Sequence, residues 1–259
     1  GRYEGQHPLN YKFEECQVID LNENWDYPQL SASSAFFKRE LFDNYRFPES
    51  LVNSEDTLML NKMLLENPKY GVVTEAIYWY RRRNDETSTI DSSSTKKKFY
   101  INRLDNYFKA LINASIEKYG EVVKFIQYLV VYDLQWMFSV KNISEILTNN
   151  EIKEVYLHIQ EVLSYLDDDI ILSLRNDKLN ISHHMLATKY AVINVDLNGL
   201  VTYENIVSKY NGQFAGTYSG NVLVDQLDKH KFWLDIIEIK HNTLFISGFL
   251  MSFFRDDDI

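Results

Sequence analysis

The spacing of hydrophobic and polar positions changes twice along the chain, which divides it into three zones. Residues 1–95 mix short alternating runs with turns and one helical pattern. Residues 96–192 carry apolar positions at helical spacing, and residues 193–259 return to a period of two, which is typical of strands. The pattern predicts an α+β fold with these three parts as domains, the last one mostly antiparallel.

The first zone is predicted from its start and stop signals. Ser54 precedes two acids and an amphipathic run, which indicates a helix N-cap, and Asn67-Pro68 should end that helix. Residues 36–45 fit a short helix, and residues 70–80 fit a strand.

The later zones are predicted in the same way. Gly120 is a natural stop for the first helix of the second zone. Residues 121–139 are apolar nearly all round, which predicts a buried helix, and a third helix follows with one apolar face. In the third zone, His241-Asn242 lies where a tight hairpin turn is expected between two strands.

Composition and charge exclude several classes of protein. The 259 residues are 45% hydrophobic, enough for a sizeable core, and the net charge of −10 disfavours nucleic acid as a partner. Cys16 is the one cysteine, so neither an internal disulfide nor a CxxC zinc site is predicted. The longest apolar stretch is interrupted by polar residues and is too short to span a bilayer. We therefore expect a cytoplasmic setting, which includes the inner face of the cell membrane.

The carboxylates of Glu55 and Asp56 allow two interpretations. At a helix start they complement the helix dipole, a stabilisation of about 0.3–1 kcal/mol. Alternatively, such an exposed but rigidly held carboxylate could act as a general base towards an acceptor hydroxyl.

The arginines at the end of the predicted strand also allow two interpretations. Their charges could simply extend into water. Strand alternation, however, places Arg81 and Arg83 on one face, where two guanidinium groups can grip a phosphate, and Ser88 could add a hydroxyl donor. No glycine-rich phosphate loop and no histidine or cysteine ligand spacing occurs, so no metal site is predicted within this chain.

Four sequence blocks, in this order and spacing, resemble the acceptor-side part of a bacterial family 2 glycosyltransferase of GT-A fold. They are residues 29–40 (QLSASSAFFKRE), 46–49 (RFPE), 54–57 (SEDT) and 78–89, which contains YWYRRR and TST. The likeness is to enzymes of the capsule and teichoic-acid type, sometimes fused to a CDP-glycerol glycerophosphotransferase. It covers about residues 1–140 well, and the remainder more loosely.

The resemblance implies roles for individual residues. Asp56, with Glu55 beside it, would supply the catalytic base of an inverting transfer of a sugar from a nucleotide sugar. Arg81, Arg83 and Ser88 would bind phosphate on the donor or acceptor. The acceptor itself, a polyol or sugar phosphate, would face Gln29, Ser31 and Ser33. We expect the Asp56 carboxylate to face an open site across from the two arginines.

The resemblance also implies parts that these 259 residues do not contain. The family's nucleotide-binding half, with a DxD motif for Mg²⁺ or Mn²⁺, would precede Gly1 in a longer parent protein. This chain alone is then expected to be an inactive fragment that holds no metal, and we expect the parent to continue past residue 259.

The rival interpretation is a non-catalytic binding or oligomerisation module of a cell-envelope biosynthesis protein. The β region would then dock a partner, and the acidic pair would only cap its helix.

Overall fold

The computed structural model describes residues 9–51, 53–76, 79, 97–139, 143–175, 177, 180–210, 215–227, 233–241 and 243–249. Within these ranges the chain forms helices and small antiparallel sheets, which confirms the α+β class.

The N-terminal elements are short and are joined by turns. They are a 3-10 helix at Asn10–Phe13, β1 (Gln17–Asp20), α1 (Leu41–Asn44), α2 (Glu55–Glu66) and β2 (Lys69–Val72). β1 and β2 pair antiparallel, with Ile19 opposite Tyr70. The predicted helix stop is confirmed, because α2 ends with Asn67 in an extended conformation.

The middle of the chain is helical, as predicted. It contains α3 (Lys97–Arg103), a π-helical turn at Leu104–Phe108, α4 (Lys109–Tyr119), α5 (Lys124–Phe138), α6 (Asn149–Ser164), α7 (Asp168–Leu172) and α8 (Ile181–Tyr190), with a 3-10 turn at Ile143–Glu145. α4 ends at Gly120, whose φ of 78° lies in the left-handed region that favours glycine. α5 is buried on nearly all sides, again as predicted.

The C-terminal strands form hairpins and one three-stranded sheet. They are β3 (Val192–Val195), β4 (Val201–Glu204), β5 (Ile206–Tyr210), β6 (Ala215–Ser219), β7 (Val222–Gln226), β8 (Trp233–Lys240) and β9 (Thr243–Phe249). β3 pairs with β4, β6 lies between β5 and β7, and β8 pairs with β9, all antiparallel. The predicted hairpin turn is confirmed at His241.

One continuous hydrophobic core joins the first two zones to the start of the third, from Leu9 to Val224. α2 packs on α4, α6 packs on β3, and α8 packs on β7. A long-range ion pair adds to this packing: Arg175, just after α7, binds Asp26 and lies over the ring of Tyr11, 4.0 Å from its centroid. The N-terminal elements are thereby attached to the helices.

The β8–β9 hairpin has one aliphatic face that is largely exposed. The cross-strand pairing places five aliphatic side chains on that face, and each of them is 51–74% exposed: Leu234, Ile237, Ile239, Leu244 and Ile246. The opposite face is mixed and carries the ion pair between Lys240 and Glu238.

Two predicted elements are shorter than expected. In place of a helix over residues 36–45 only α1 forms, and the strand predicted for residues 70–80 stops at Val72 as β2. Among the described helices, none has the length and apolar character needed to cross a membrane.

Candidate functional site

The carboxylate of Asp56 is half-buried in the first turn of α2 and accepts two backbone hydrogen bonds. Its Oδ1 accepts from the N–H of Thr57 at 2.8 Å. Its Oδ2 accepts from the N–H of Ala32 at 3.1 Å, across 24 residues of sequence. The side chain therefore does more than complement the dipole of its own helix, because it also fixes a separate loop. That loop, residues 28–33, is called the Pro28 loop below.

Two polar side chains of α2 hold the Pro28 loop from the helix side. Thr57 donates its hydroxyl to the carbonyl of Leu30 at 2.6 Å, and Asn61 donates its amide to the carbonyl of Gln29 at 2.9 Å. Thr57 and Asn61 are four residues apart, so they share one face of the helix, and both are buried. Burial makes these bonds costly to lose, since an unpaired buried polar group costs about 1–3 kcal/mol.

The loop also bonds to itself and presents hydroxyl groups. Gln29 donates its Nε2 to the carbonyl of Ser31 at 3.2 Å. The hydroxyls of Ser31 and Ser33 are 2.8 Å apart, and the N–H of Ser33 donates to the Oγ of Ser31. Two hydroxyls of the loop therefore lie beside the residue, Ala32, that contacts Asp56.

Lys12, in the 3-10 helix, also binds the loop. Its Nζ donates to the carbonyl of Pro28 and to Oε1 of Gln29, both at 2.8 Å. The residue is only 4% exposed, and its ammonium lies over the rings of Phe13 and Tyr70, 5.3 and 5.6 Å from their centroids. Burial lowers the pKa of Lys12 to about 8.

The backbone at the helix start is strained. Ser54 has a φ of 68°, a left-handed conformation that is uncommon for residues other than glycine, and its side chain makes no capping hydrogen bond. The predicted capping by the Ser54 hydroxyl is therefore wrong, because the left-handed backbone is not the extended conformation in which an N-cap side chain reaches the helix N–H groups. Strain of this kind costs about 1–3 kcal/mol and clusters at functional sites.

A buried charged cluster lies on the neighbouring helices. Arg103 ion-pairs with Asp133 at 3.2 Å, and Tyr107 donates its hydroxyl to the same carboxylate at 2.5 Å. The pKa of Tyr107 is raised well above its usual range by burial, then by Asp133, with a smaller contribution from the carboxylate of Asp56. Tyr107 belongs to the π-helical turn, a rare conformation that is frequent at functional sites.

The structure brings together one group of the predicted site residues. Asp56 lies in direct contact with the loop that carries Gln29, Ser31 and Ser33, and Glu55 precedes it in the same helical turn. The predicted phosphate ligands, Arg81, Arg83 and Ser88, lie outside the described residues.

Three residues of the site were missed by the sequence analysis: Lys12, Thr57 and Asn61. The pair on α2 had a signal, since two small polar residues at helical spacing interrupt an otherwise apolar helix face. Lys12 had none, because its partners lie 16 and 17 residues away in a segment without periodicity.

The described residues do not bring three or more histidine, cysteine, aspartate or glutamate side chains together, so they offer no evident ligand set for a divalent metal. A metal of the kind the resemblance implies has no fitting site among them.

Fold and site define an α+β protein in which a carboxylate at a helix start is tied to a hydroxyl-bearing loop. Over 252 residues the chain is 30% identical to the minor teichoic acid biosynthesis protein GgaB of Bacillus subtilis (strain 168). The matched region covers 97% of this chain and 27% of that protein. Over 172 residues it is 31% identical to the minor teichoic acid biosynthesis protein GgaA of the same organism, covering 66% of this chain and 37% of that protein.

The chain therefore spans well under half the length of both curated relatives. No family profile matches it, and neither does any solved structure. The relatives support the teichoic-acid part of the resemblance, while the family 2 and GT-A assignments stay predictions.

Proposed function

We propose that this chain forms the acceptor-side part of a glycosyltransferase of cell-wall polymer biosynthesis. The enzyme transfers a sugar from a nucleotide sugar to a teichoic-acid-type or related cell-surface polysaccharide acceptor, with inversion at the anomeric carbon. The names of the two relatives support the class of polymer. The observation that carries the proposal is the hydrogen bond from the N–H of Ala32 to the Asp56 carboxylate. Ala32 lies between Ser31 and Ser33 in the sequence, and the hydroxyls of those two serines contact each other.

In this mechanism Asp56 is the general base. The acceptor hydroxyl oxygen forms a bond to the anomeric carbon while the bond from that carbon to the diphosphate breaks, and the nucleoside diphosphate leaves with the electron pair. The hydroxyl proton passes to an oxygen of Asp56. Each carboxylate oxygen keeps a lone pair beyond its single backbone hydrogen bond, so either can accept this proton.

The chain's own residues supply orientation. The N–H groups of Ala32 and Thr57 fix the plane of the carboxylate, and the Ser31 and Ser33 hydroxyls offer donors and acceptors to a polyol. Positioning of this kind accounts for a large part of catalysis, because it replaces an encounter in solution with a fixed geometry. The proposal includes Arg81, Arg83 and Ser88 as phosphate ligands, Mg²⁺ or Mn²⁺ in the full-length enzyme and a location at the inner face of the cell membrane.

The test uses the full-length gene product that contains these residues, with Asp56→Asn as the variant. Nucleoside diphosphate release from a panel of nucleotide sugars is measured with a poly(glycerol phosphate) acceptor. We expect kcat to fall by about 10²–10⁴-fold, the usual contribution of a general base, in a variant that still folds. Its unfolding midpoint should be slightly lower, because asparagine keeps only one acceptor oxygen for the two backbone N–H groups.

The matched control is Asp169→Asn, an exposed acid in the first turn of α7. Asp169 is the second residue of α7, as Asp56 is the second residue of α2. The control therefore removes a carboxylate at an equivalent helix position outside the Pro28 loop, and it should leave kcat unchanged. Turnover of Asp56→Asn near the wild-type rate would refute the assignment of the base.

A second candidate function, the oligomerisation module, is favoured by the aliphatic face of the β8–β9 hairpin. An isolated two-stranded hairpin is marginally stable in water and needs a partner layer. Because these five aliphatic side chains carry no charge, two copies can stack through them without burying like charges. If so, Ile239→Lys should convert a dimer to a monomer in a light-scattering measurement of molar mass, whereas Val207→Lys on exposed β5 should not. A wild-type protein that is monomeric at every concentration excludes this candidate.

A further inference from the structure

We propose that Lys12 is a positioning residue for the general base. Its buried ammonium fixes the Gln29 amide and the Pro28 carbonyl, and through them the loop whose backbone N–H binds Asp56. This inference rests on the proposed function, and it adds a residue that no sequence block or relative assigns.

The ammonium of Lys12 is buried without a carboxylate partner among the described ion pairs. Its neighbours are two oxygens of the Pro28 loop and the faces of two aromatic rings. Burying a charge in this way is unfavourable, as the lowered pKa of Lys12 shows. A neutral side chain of similar length would fill the same space at lower cost, so the charge itself needs an explanation.

The explanation offered by the contacts is orientation. An ammonium only donates, so it requires the oxygen of the Gln29 amide to face Lys12 and the nitrogen to face away. In that orientation Nε2 donates to the carbonyl of Ser31. One cation thereby sets a chain of hydrogen bonds that runs from Lys12 through Gln29 to the backbone next to Ala32.

Two separate segments, α2 and the 3-10 helix that carries Lys12, therefore bind the backbone of the loop. α2 binds the carbonyls of Gln29 and Leu30 through Asn61 and Thr57, and Lys12 binds the preceding carbonyl, that of Pro28. Charge-assisted bonds are roughly twice as strong as neutral ones. Deprotonation of Lys12 weakens both of its bonds to the loop and so loosens the N–H that fixes the Asp56 carboxylate.

The titratable ring that faces the ammonium is that of Tyr70, and burial raises its pKa, away from the range of Lys12. Tyr11, the residue before Lys12, also has its pKa raised by burial and packs against Tyr27. The nearest charges next to this aromatic cluster belong to the ion pair of Asp26 with Arg175. A change near pH 8 that occurs in the wild type and is absent when Lys12 is replaced is therefore assigned to Lys12.

The experiment compares the full-length wild-type protein with Lys12→Met and Lys12→Arg. Hydrogen exchange of the backbone amides of residues 29–33 is measured by mass spectrometry, and kcat is measured from pH 6.5 to pH 9.5 at saturating substrates. The matched control is Lys189→Met, because Lys189 is also nearly buried and donates to a carbonyl, that of Leu166, far from the Pro28 loop.

We expect exchange in the Pro28 loop to be roughly 10-fold faster in Lys12→Met, with a fall in kcat of about 10–100-fold, since a misplacement of about 1 Å can cost 10²-fold. The wild-type kcat should fall as the pH rises through about 8. Lys12→Arg should lack this decline, because a guanidinium stays charged. Lys189→Met should change neither measurement.

Gln29→Glu tests the same contact from the loop side. Its carboxylate would pair with the ammonium of Lys12 and move the alkaline decline to higher pH. Because a carboxylate cannot replace the Nε2 donation to Ser31, kcat should be lower at every pH, and the pH of the decline is the readout. Unchanged loop exchange in Lys12→Met, or an alkaline decline that is the same in all variants, overturns the inference. If Asp56→Asn loses turnover while Lys12→Met keeps it, only the role of Lys12 fails. If Asp56→Asn keeps turnover, the proposed function fails.

Discussion

The buried ammonium of Lys12 predicts an unusual dependence of stability on pH. Its pKa is lowered from 10.5 to about 8 in the folded protein. Between these values the unfolded chain binds more protons than the folded one, so the free energy of unfolding rises with pH in this window. The penalty is fully present below pH 8. With about 1.36 kcal/mol per pKa unit it amounts to about 3 kcal/mol, of which about 2 kcal/mol should be relieved between pH 7 and pH 9.5.

The assay is urea unfolding of the wild type and of Lys12→Met, followed by tryptophan fluorescence at several pH values up to 9.5. Stopping there avoids the titration of exposed tyrosines near pH 10. The difference in unfolding free energy between the two proteins should change by about 2 kcal/mol in favour of the wild type as the pH rises. Curves that stay parallel from pH 7 to pH 9.5 would show that Lys12 is solvated in the native state.

Three further predictions concern other parts of the molecule. Asp133→Asn leaves the buried guanidinium of Arg103 without its counter-charge and should cost about 3–5 kcal/mol in urea unfolding; a loss below 1 kcal/mol would contradict the buried pair. Gly199→Ala should lower the melting temperature by several degrees, since its φ is +79° and a Cβ there would lie 2.6 Å from a serine Cβ; an unchanged melting temperature would contradict this packing. The hydrogen bond from Lys97, followed by those from Thr148, lowers the pKa of Glu151 to about 2. The stability that this gives is present above pH 4.5 and is lost as the pH falls towards 2. Lys97→Met should reduce this loss in acid unfolding, and an unchanged acid transition would contradict the contribution of Lys97.

The sequence predicted the helices well where local signals define their ends. α2 and α4 stop where Asn67-Pro68 and Gly120 require, because proline and glycine act on the backbone directly. The shortened elements depend on partners. β2 stops at Val72 because its partner β1 begins at the paired residue, Gln17, and among the described residues no other strand pairs with either of them.

Residues 36–45 show the same dependence in a helix. The apolar spacing there is suitable, yet the ring of Phe36 is fully exposed and finds no surface to pack against. A helix of this length is not stable without tertiary packing, and only one turn forms, as α1.

For the site, the sequence predicted the carboxylate and the hydroxyl loop but not how they are joined. Asp56 could be found because acids at helix starts are visible in a sequence. The contact with Ala32 bridges 24 residues, and the contacts of Lys12 bridge a turn without repeating pattern. Such contacts are set by tertiary packing, which periodicity does not encode.

The ion pair between Asp26 and Arg175 has a consequence for the order of folding. It joins residues 149 positions apart, whereas successive helices from α3 to α8 meet their neighbours over much shorter separations. Closing a long loop costs entropy before its contacts compensate for it. The helices should therefore consolidate first, and the strand pair and Pro28 loop should dock late, so that the contacts around Asp56 form in the last step of folding.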